Sequence, residues 1–373
     1  MQKLILFCLL ATSLNNMLLA NPEDPKTLSI GAKAPDFSLP GIDGKTYTLA
    51  TFKDAKILVI VFTCNHCPTA QAYEDRIIQL AKDYKNKGVT LVAVSPNDPT
   101  AIRLDELGYT DLSDSFEEMK IRAAKKNFSF PYLYDGETQS MSRAYGPVAT
   151  PHVFIFDKER TLRYQGRIDD VEKPTKTPNT HDARNAIEAL LQNKEVPVAT
   201  TKVFGCSVKW NDKKDLVQKG FEAWAKEPVS IETVDADGIK ELLQNKSKKL
   251  RLINIWATWC GPCITEFPEF IAINRMYRGR DFELVTISAD DPEKKDKALE
   301  FLKQQQASCK NYIFSIDDKY KLIDAVDPNW QGALPYTILV EPGGKIVYAR
   351  QGTIDPAAMK TLIVDHPLIG RYY

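Results

Sequence analysis

The chain has 373 residues, with 49 lysines and arginines against 49 aspartates and glutamates, so its formal net charge is zero. A balanced chain has no long-range field for gathering nucleic acid or an anionic membrane surface, and 43% hydrophobic with 26% charged residues is a globular composition. No apolar run reaches the roughly 18 residues needed to span a bilayer, and the length predicts about two domains, each able to bury its own core.

Residues 1–20 read as a signal peptide: Lys3, an apolar stretch over 4–11 that includes Cys8, a second patch over 17–20, and cleavage expected after Ala20. Cleavage would remove one lysine and no acid, leaving one net negative charge. It would also leave six of the seven cysteines in an exported, most simply periplasmic, protein, where thiols meet an oxidising environment. The mature chain is expected to divide into a first domain over 21–210, a helical linker over 211–228 and a second domain over 229–373.

Residues 57–62 are a continuous apolar, β-branched run of buried-strand type. The run ends in Thr63-Cys64-Asn65-His66-Cys67-Pro68. A helical pattern follows, with Ala72, Ile77, Ile78, Leu80 and Ala81 facing inward and Lys82, Asp83 and Lys85 outward. Residues 89–94 predict a second buried strand and 115–126 a helical insert. Thr150-Pro151 then leads into a strand over 153–156, a turn, and residues 162–166. Residues 193–203 are extended and polar, and 211–225 read as a helix carrying Leu216, Val217, Phe221 and Trp224.

The same order then recurs. A strand over 250–256 ends in Trp259-Cys260-Gly261-Pro262-Cys263, and a helix carries Phe267, Phe270, Ile271 and Met276. A strand over 282–287, a helix over 298–305, Leu334-Pro335, a strand over 337–340, the turn Glu341-Pro342-Gly343-Gly344 and residues 345–348 complete it. Strand, CxxC, helix, strand, helix, X-Pro and hairpin occur twice, which predicts an α/β protein of two tandem domains, each a central mixed sheet flanked by helices.

A dithiol catalyst needs one sulfur that ionises near neutral pH and a partner within reach. A cysteine at a helix N-terminus meets the first need, because unpaired N–H groups and the helix dipole favour a thiolate; two intervening residues bring the second cysteine back onto the first turn. This assigns Cys260 as nucleophile and Cys263 as resolving thiol, and gives Cys64 and Cys67 the same roles. His66 is expected to stabilise the Cys64 thiolate, whereas Gly261-Pro262 adds no charge. The first pair is therefore expected to be the more oxidising, with electrons running from the second domain to the first. Zinc at either pair and an inert disulfide are the competing readings; the pairs lie in separate repeats, and two residues make a strained bridge. Neither a metal nor a cofactor is assigned, and no Gly-rich dinucleotide fingerprint occurs.

Cys206 and Cys309 are single, and spacing leaves three uses of Cys206 open: relay to Cys67, pairing with Cys309, or a buried small apolar residue. Neither is given a catalytic role. His152 stands close in sequence to Pro151 and is read as structural, and His181 and His366 show no constellation.

Residues 259–263 strongly resemble the thioredoxin active site. Cys260 to Pro268 resembles, more narrowly, the CxxCxxExP signature of exported TlpA/ResA-like reductases. Ala34-Pro35-Asp36-Phe37, followed by Cys64-Asn65-His66-Cys67-Pro68, is similar to the redoxin branch, which holds the peroxiredoxin and TlpA relatives. These resemblances imply two thioredoxin-like domains in which Pro151 and Pro335 are cis and face the cysteine pairs. They imply that backbone groups of Thr150 and Leu334 are offered to an extended client segment, with Trp259 beside the nucleophile as a capping aromatic and client contact. They also imply a partly buried Glu266 of raised pKa that accepts the Cys263 proton; a first-turn acid placed by the helix dipole is the alternative.

The implied function is an exported protein thiol–disulfide oxidoreductase, a reductase or isomerase rather than an oxidase. It would act on protein thiol and disulfide clients, be recharged by an upstream redox protein such as a membrane thiol transporter, and bind no nucleic acid. Two further readings stand beside it. One is thiol peroxidase chemistry at Cys67-Pro68-Thr69, although Ile60 and Cys64 occupy the places where peroxiredoxins carry a proline and a threonine. The other is a metal or haem-maturation chaperone using the same cysteines.

Overall fold

The computed structural model describes residues 25–173 and 176–371, so the expected signal peptide lies outside the described residues. Strands β1 (Ser38–Pro40) and β2 (Thr46–Thr48) form an antiparallel hairpin. The wholly apolar run then becomes β3 (Ile57–Phe62), with every residue buried, and leads through the first cysteine motif into α1 (Pro68–Tyr84). There follow β4 (Val89–Ser95), α2 (Phe116–Lys126), β5 (Tyr132–Tyr134), α3 (Ser140–Tyr145), β6 (His152–Phe156), β7 (Leu162–Gly166) and α4 (Asp182–Leu191). The sheet order is β5-β4-β3-β6-β7. β3 runs parallel to β4 and antiparallel to β6, and β7 closes the edge antiparallel to β6.

After α5 (Lys214–Ala225) the second unit begins with β8 (Glu232–Val234), α6 (Ala236–Gln244), β9 (Leu250–Trp256) and α7 (Gly261–Tyr277). It continues with β10 (Phe282–Ser288), α8 (Lys295–Gln304), β11 (Lys310–Phe314), α9 (Lys319–Val326), β12 (Tyr336–Val340), β13 (Ile346–Gln351) and α10 (Pro356–Val364). Its sheet order, β13-β12-β9-β10-β11-β8, repeats the first with one strand added at the edge. β9 pairs parallel with β10 and antiparallel with β12, as β3 does with β4 and β6. Both central strands thus carry their C-terminal ends, and the cysteines beyond them, to the start of a long helix. The Thr150–Pro151 and Leu334–Pro335 peptides are both cis.

The two units share apolar surface. The segment between β4 and α2 sends Ile102 and Leu107 into a cluster with Leu250, Phe270, Met276 and Ile363 of the second unit. Around it, Tyr277 Oη donates to the Thr110 carbonyl at 2.7 Å and Arg280 Nη1 to that of Gly108 at 2.8 Å. Asp111 accepts from Thr361 Oγ1 at 2.9 Å and pairs with Arg371 at 2.9 Å. Helix α5 touches both units: Lys214 pairs with Asp98 at 2.9 Å, and the Arg275 guanidinium lies 4.9 Å from the centre of the Trp224 ring.

Burying one aspartate among these apolar side chains costs more than the contact can return. Leu107→Asp is therefore expected to release the two units from each other, read as at least a tenfold faster proteolytic cut within 211–228, a lower bound given the roughly 2–5 kcal/mol that loss of a buried leucine costs. Unchanged cleavage would show that this cluster does not hold them together.

Candidate active site

In the first unit the helix starts later than the spacing suggested. Cys67, and not Cys64, is the N-cap of α1: its sulfur accepts from Ala70 N at 3.4 Å, with Pro68 opening the helix. A second N–H, from Cys206, reaches the same sulfur at 3.3 Å. Cys64 lies one step outside, 3.1 Å from Thr150 Oγ1, and a protonated Cys67 donates to the Thr150 carbonyl at 3.2 Å. Cys64, Cys67 and His66 are all buried, at 2%, 0% and 1% exposure.

Asp114 closes the site from behind. Its Oδ1 accepts from the Asn65 and His66 N–H groups at 2.8 and 2.9 Å, and its Oδ2 from His66 Nδ1 and Asn97 Nδ2 at 2.6 and 2.7 Å. Burial lowers the proton affinity of His66, but the Asp114 charge and hydrogen bond outweigh it, so the imidazole is held charged above its ordinary range. Burial alone would raise Cys67. The thiols of Cys206 and Cys64, the His66 charge and the Ala70 N–H overcome that and hold it well below an ordinary thiol. Cys64 is pushed well up, first by burial and then by its thiol neighbour and the Asp114 charge. The histidine thus serves Cys67 rather than Cys64, which reverses the polarity expected for this pair.

The expectation of an open client edge also fails here. Thr150 N donates to the Cys206 carbonyl at 2.9 Å, so the chain's own segment occupies the backbone group that a client would use.

In the second unit the capping sulfur is the first of its pair. Cys260 is the N-cap of α7, accepts from Cys263 N at 3.3 Å, and is joined to Cys263 in a disulfide. Both sulfurs belong to a core with Trp256, Phe267 and Tyr336, against which Leu334 packs. Buried Asp290 ties down the approach, accepting from Thr258 N and Oγ1 at 2.9 and 2.7 Å. Trp259 is 60% exposed beside Cys260. Glu266 is 8% exposed; its Oε2 accepts from Ile354 N at 3.0 Å, and its Oε1 is buried without a partner. Burial, only partly offset by that N–H and by Arg350, pushes its pKa up to about 7.

The remaining histidines stand apart. His152 accepts from Val148 N and bonds Gln165 Oε1 at 2.8 Å, and burial takes its pKa down to about 4. His366 pairs with Glu341, and His181 precedes α4. Cys309 donates to Asn311 Oδ1 within the second unit, so it does not pair with Cys206. Asp114 escaped the sequence reading: one residue before the Ser115 that caps α2, it looks like any acid at a helix start.

A family model described as AhpC/TSA matches residues 30–165, and one described as Redoxin matches residues 224–363. The chain is 29% identical over 120 residues to the thiol-disulfide oxidoreductase ResA of Bacillus subtilis, covering 32% of this chain and 63% of that protein, which is less than two thirds of its length. It is 28% identical over 169 residues to the thiol:disulfide interchange protein DsbE of Yersinia pestis, covering 43% of this chain and 79% of that one. Among solved structures, a hypothetical protein from Sinorhizobium meliloti is 33% identical over 50% of this chain and 97% of its own, with a TM-score of 0.45.

Two titrations check the site. In reduced protein carrying Cys260→Ser and Cys263→Ser, thiolate absorbance is expected to begin rising below 9.0, the ordinary thiol value, and Asp114→Asn is expected to move that onset up by about one pH unit or more. An onset that Asp114→Asn leaves in place would show that His66 does not tune Cys67. For Glu266, the fold favours the protonated carboxyl, so its contribution is complete below the ordinary 4.5 and is lost as pH rises through about 7. Wild-type stability is expected to fall across that window by on the order of 2 kcal/mol more than that of Glu266→Gln. Parallel melting curves for the two proteins would contradict the buried-carboxyl assignment.

Proposed function

We propose, from a chain that joins an AhpC/TSA-family domain to a Redoxin-family domain, each a thioredoxin fold, that this protein is an exported protein thiol–disulfide oxidoreductase working as a reductase or isomerase. The observation that carries the reading is the Cys260–Cys263 disulfide at the start of α7, with Cys260 capping the helix and Trp259 exposed beside it. Once that bond is reduced, the Cys260 thiolate attacks one sulfur of a client disulfide and the other client sulfur leaves. Cys263 then attacks Cys260, re-forming the internal bond and releasing the client with two thiols. Glu266, with its raised affinity for protons, takes the Cys263 proton in this scheme. Leu334 and Pro335 offer the backbone edge for the client.

Electrons reach the second pair from an upstream redox protein, and a membrane thiol transporter fits an exported location. The first pair has the higher potential, because the His66 charge and two N–H groups stabilise its reduced form at Cys67. Electron flow then runs from the second domain to the first. Division of the chain at 211–228 accompanies this scheme.

Peroxide reduction at Cys67 is a second reading, favoured by the AhpC/TSA match and by the placement of Cys67 at a helix start. Against it, Cys67 is fully buried and Cys64 stands where a peroxiredoxin has threonine. A metal held by Cys64, His66 and Asp114, whose ligand atoms lie within 4.8 Å of one another, is opposed by the four N–H donors that already fill both Asp114 oxygens.

Insulin-disulfide reduction by the reduced chain is the direct test. Wild type is expected to be active, Cys260→Ser to fall by about two orders of magnitude, and Glu266→Gln to lose several-fold with an altered pH profile. A wild-type protein that leaves insulin intact but consumes peroxide in stopped flow would overturn the reading in favour of the second.

A further inference from the structure

The first domain's thiol pair has no route to a protein client of its own. Cys64 and Cys67 are 2% and 0% exposed, and the backbone edge beside them is taken. What takes it is an extended segment tied down at both ends. On one side Gln165 N bonds Ala199 O at 3.0 Å and Thr201 N bonds Gln165 O at 3.2 Å, alongside β7; on the other, Lys209 N bonds Asn97 Oδ1 at 2.9 Å and Asp98 N bonds Lys209 O at 3.0 Å. Between these anchors the segment runs antiparallel past Thr150 and brings Cys206 onto Cys67. The Cys206 N–H and its thiol both address the Cys67 sulfur, and Cys206 packs on the small cluster of Cys64, Cys67 and Ala70.

Gly205 is what allows the approach. Its φ is +146°, and a Cβ there would collide with the Thr150 carbonyl oxygen. Cys206 thus sits against Cys67 as the cysteine of an extended client would, and of these three cysteines it alone is only partly buried. In the second domain, among the described residues, no segment makes a backbone bond to Leu334 in this way.

We infer that Cys206 is a third redox-active thiol, through which the buried Cys64–Cys67 pair exchanges with protein clients. This rests on the thiol–disulfide exchange proposed above. Cys206 attacks one sulfur of a client disulfide while its proton passes along its hydrogen bond to the Cys67 sulfur; the Cys206–client bond forms and the second client sulfur leaves, taking a proton from water. Cys67, giving its proton up to solvent, attacks Cys206, so a Cys67–Cys206 bond forms and the client departs with both sulfurs reduced. Cys64 then attacks Cys67, forming the Cys64–Cys67 bond and freeing Cys206 as a thiol. The two electrons come from Cys64 and Cys67, and Cys206 ends as it began.

The test uses the full chain with Cys260→Ser and Cys263→Ser, so that only these three sulfurs and Cys309 remain in the described chain. When Cys64→Ser is added, a limiting thiol oxidant followed by peptide mass mapping is expected to give the Cys67–Cys206 linkage; a folded protein without that linkage overturns the relay. With Cys64 present, Cys206→Ser is expected to slow reduction of a protein disulfide about tenfold or more, and at least about fivefold more than it slows re-reduction of the buried pair by dithiothreitol, which also feels the loss of the Cys206 thiol beside Cys67. No slowing, or equal slowing of both, overturns it. Gly205→Ala, which keeps every thiol, is expected to reproduce the selective loss; a parental rate would contradict the positioning by this segment. If the parent reduces no protein disulfide although the linkage forms, the exchange reading of the first domain fails while the three-sulfur cluster is upheld.

Discussion

A sulfur anion held away from water needs hydrogen-bond donors in the water's place, and a helix start is where a protein has N–H groups without partners of their own. Both halves of this chain are arranged around that requirement. Each drives a fully buried strand into the sheet centre so that the turn leaving it delivers cysteines to the first turn of a long helix. The remaining features follow from which sulfur ends up at the cap. In the second half it is the first cysteine of the pair, next to an exposed tryptophan. In the first half it is the second cysteine, enclosed by an imidazole and a carboxylate that are themselves shut off from solvent.

That enclosure has an energetic logic. A buried imidazolium–carboxylate pair stabilises a fold only when its remaining hydrogen-bonding groups are satisfied, and breaking it by removing one partner commonly costs about 3–5 kcal/mol. Asp114 meets the condition with four donors. His66 meets it only at Nδ1, for its Nε2 is buried without a partner. A pair that leaves one polar atom uncompensated is better explained by the charge it supplies to Cys67 than by stability.

The centre of each sheet was legible in the sequence because those strands are buried on both faces and mostly apolar: residues 57–62 and 250–256 are strands with the bounds their composition suggests. The three-residue strands β5 and β8 were not legible, since a run that short has no period and becomes a strand only by pairing with β4 or β11. The two CxxC motifs were legible by spacing. The capping cysteine of the first pair was not, because CxxC fixes the separation of two sulfurs without fixing where the helix begins, and Pro68 sets that here. Asp114 and Cys206 are 47 and 139 residues from Cys67 in the chain, so only the folded backbone brings them to it.

One short stretch between β4 and α2 serves both halves. Asp111 is held by Thr361 and Arg371 of the second, while Asp114, three residues on, holds the cysteine turn of the first. Excision would therefore be unequal. The C-terminal module, cut out alone, would keep every group around its own sulfurs. The N-terminal module would lose the scaffold that steadies its buried acid, so its electrochemistry belongs to the assembled molecule and not to the fragment.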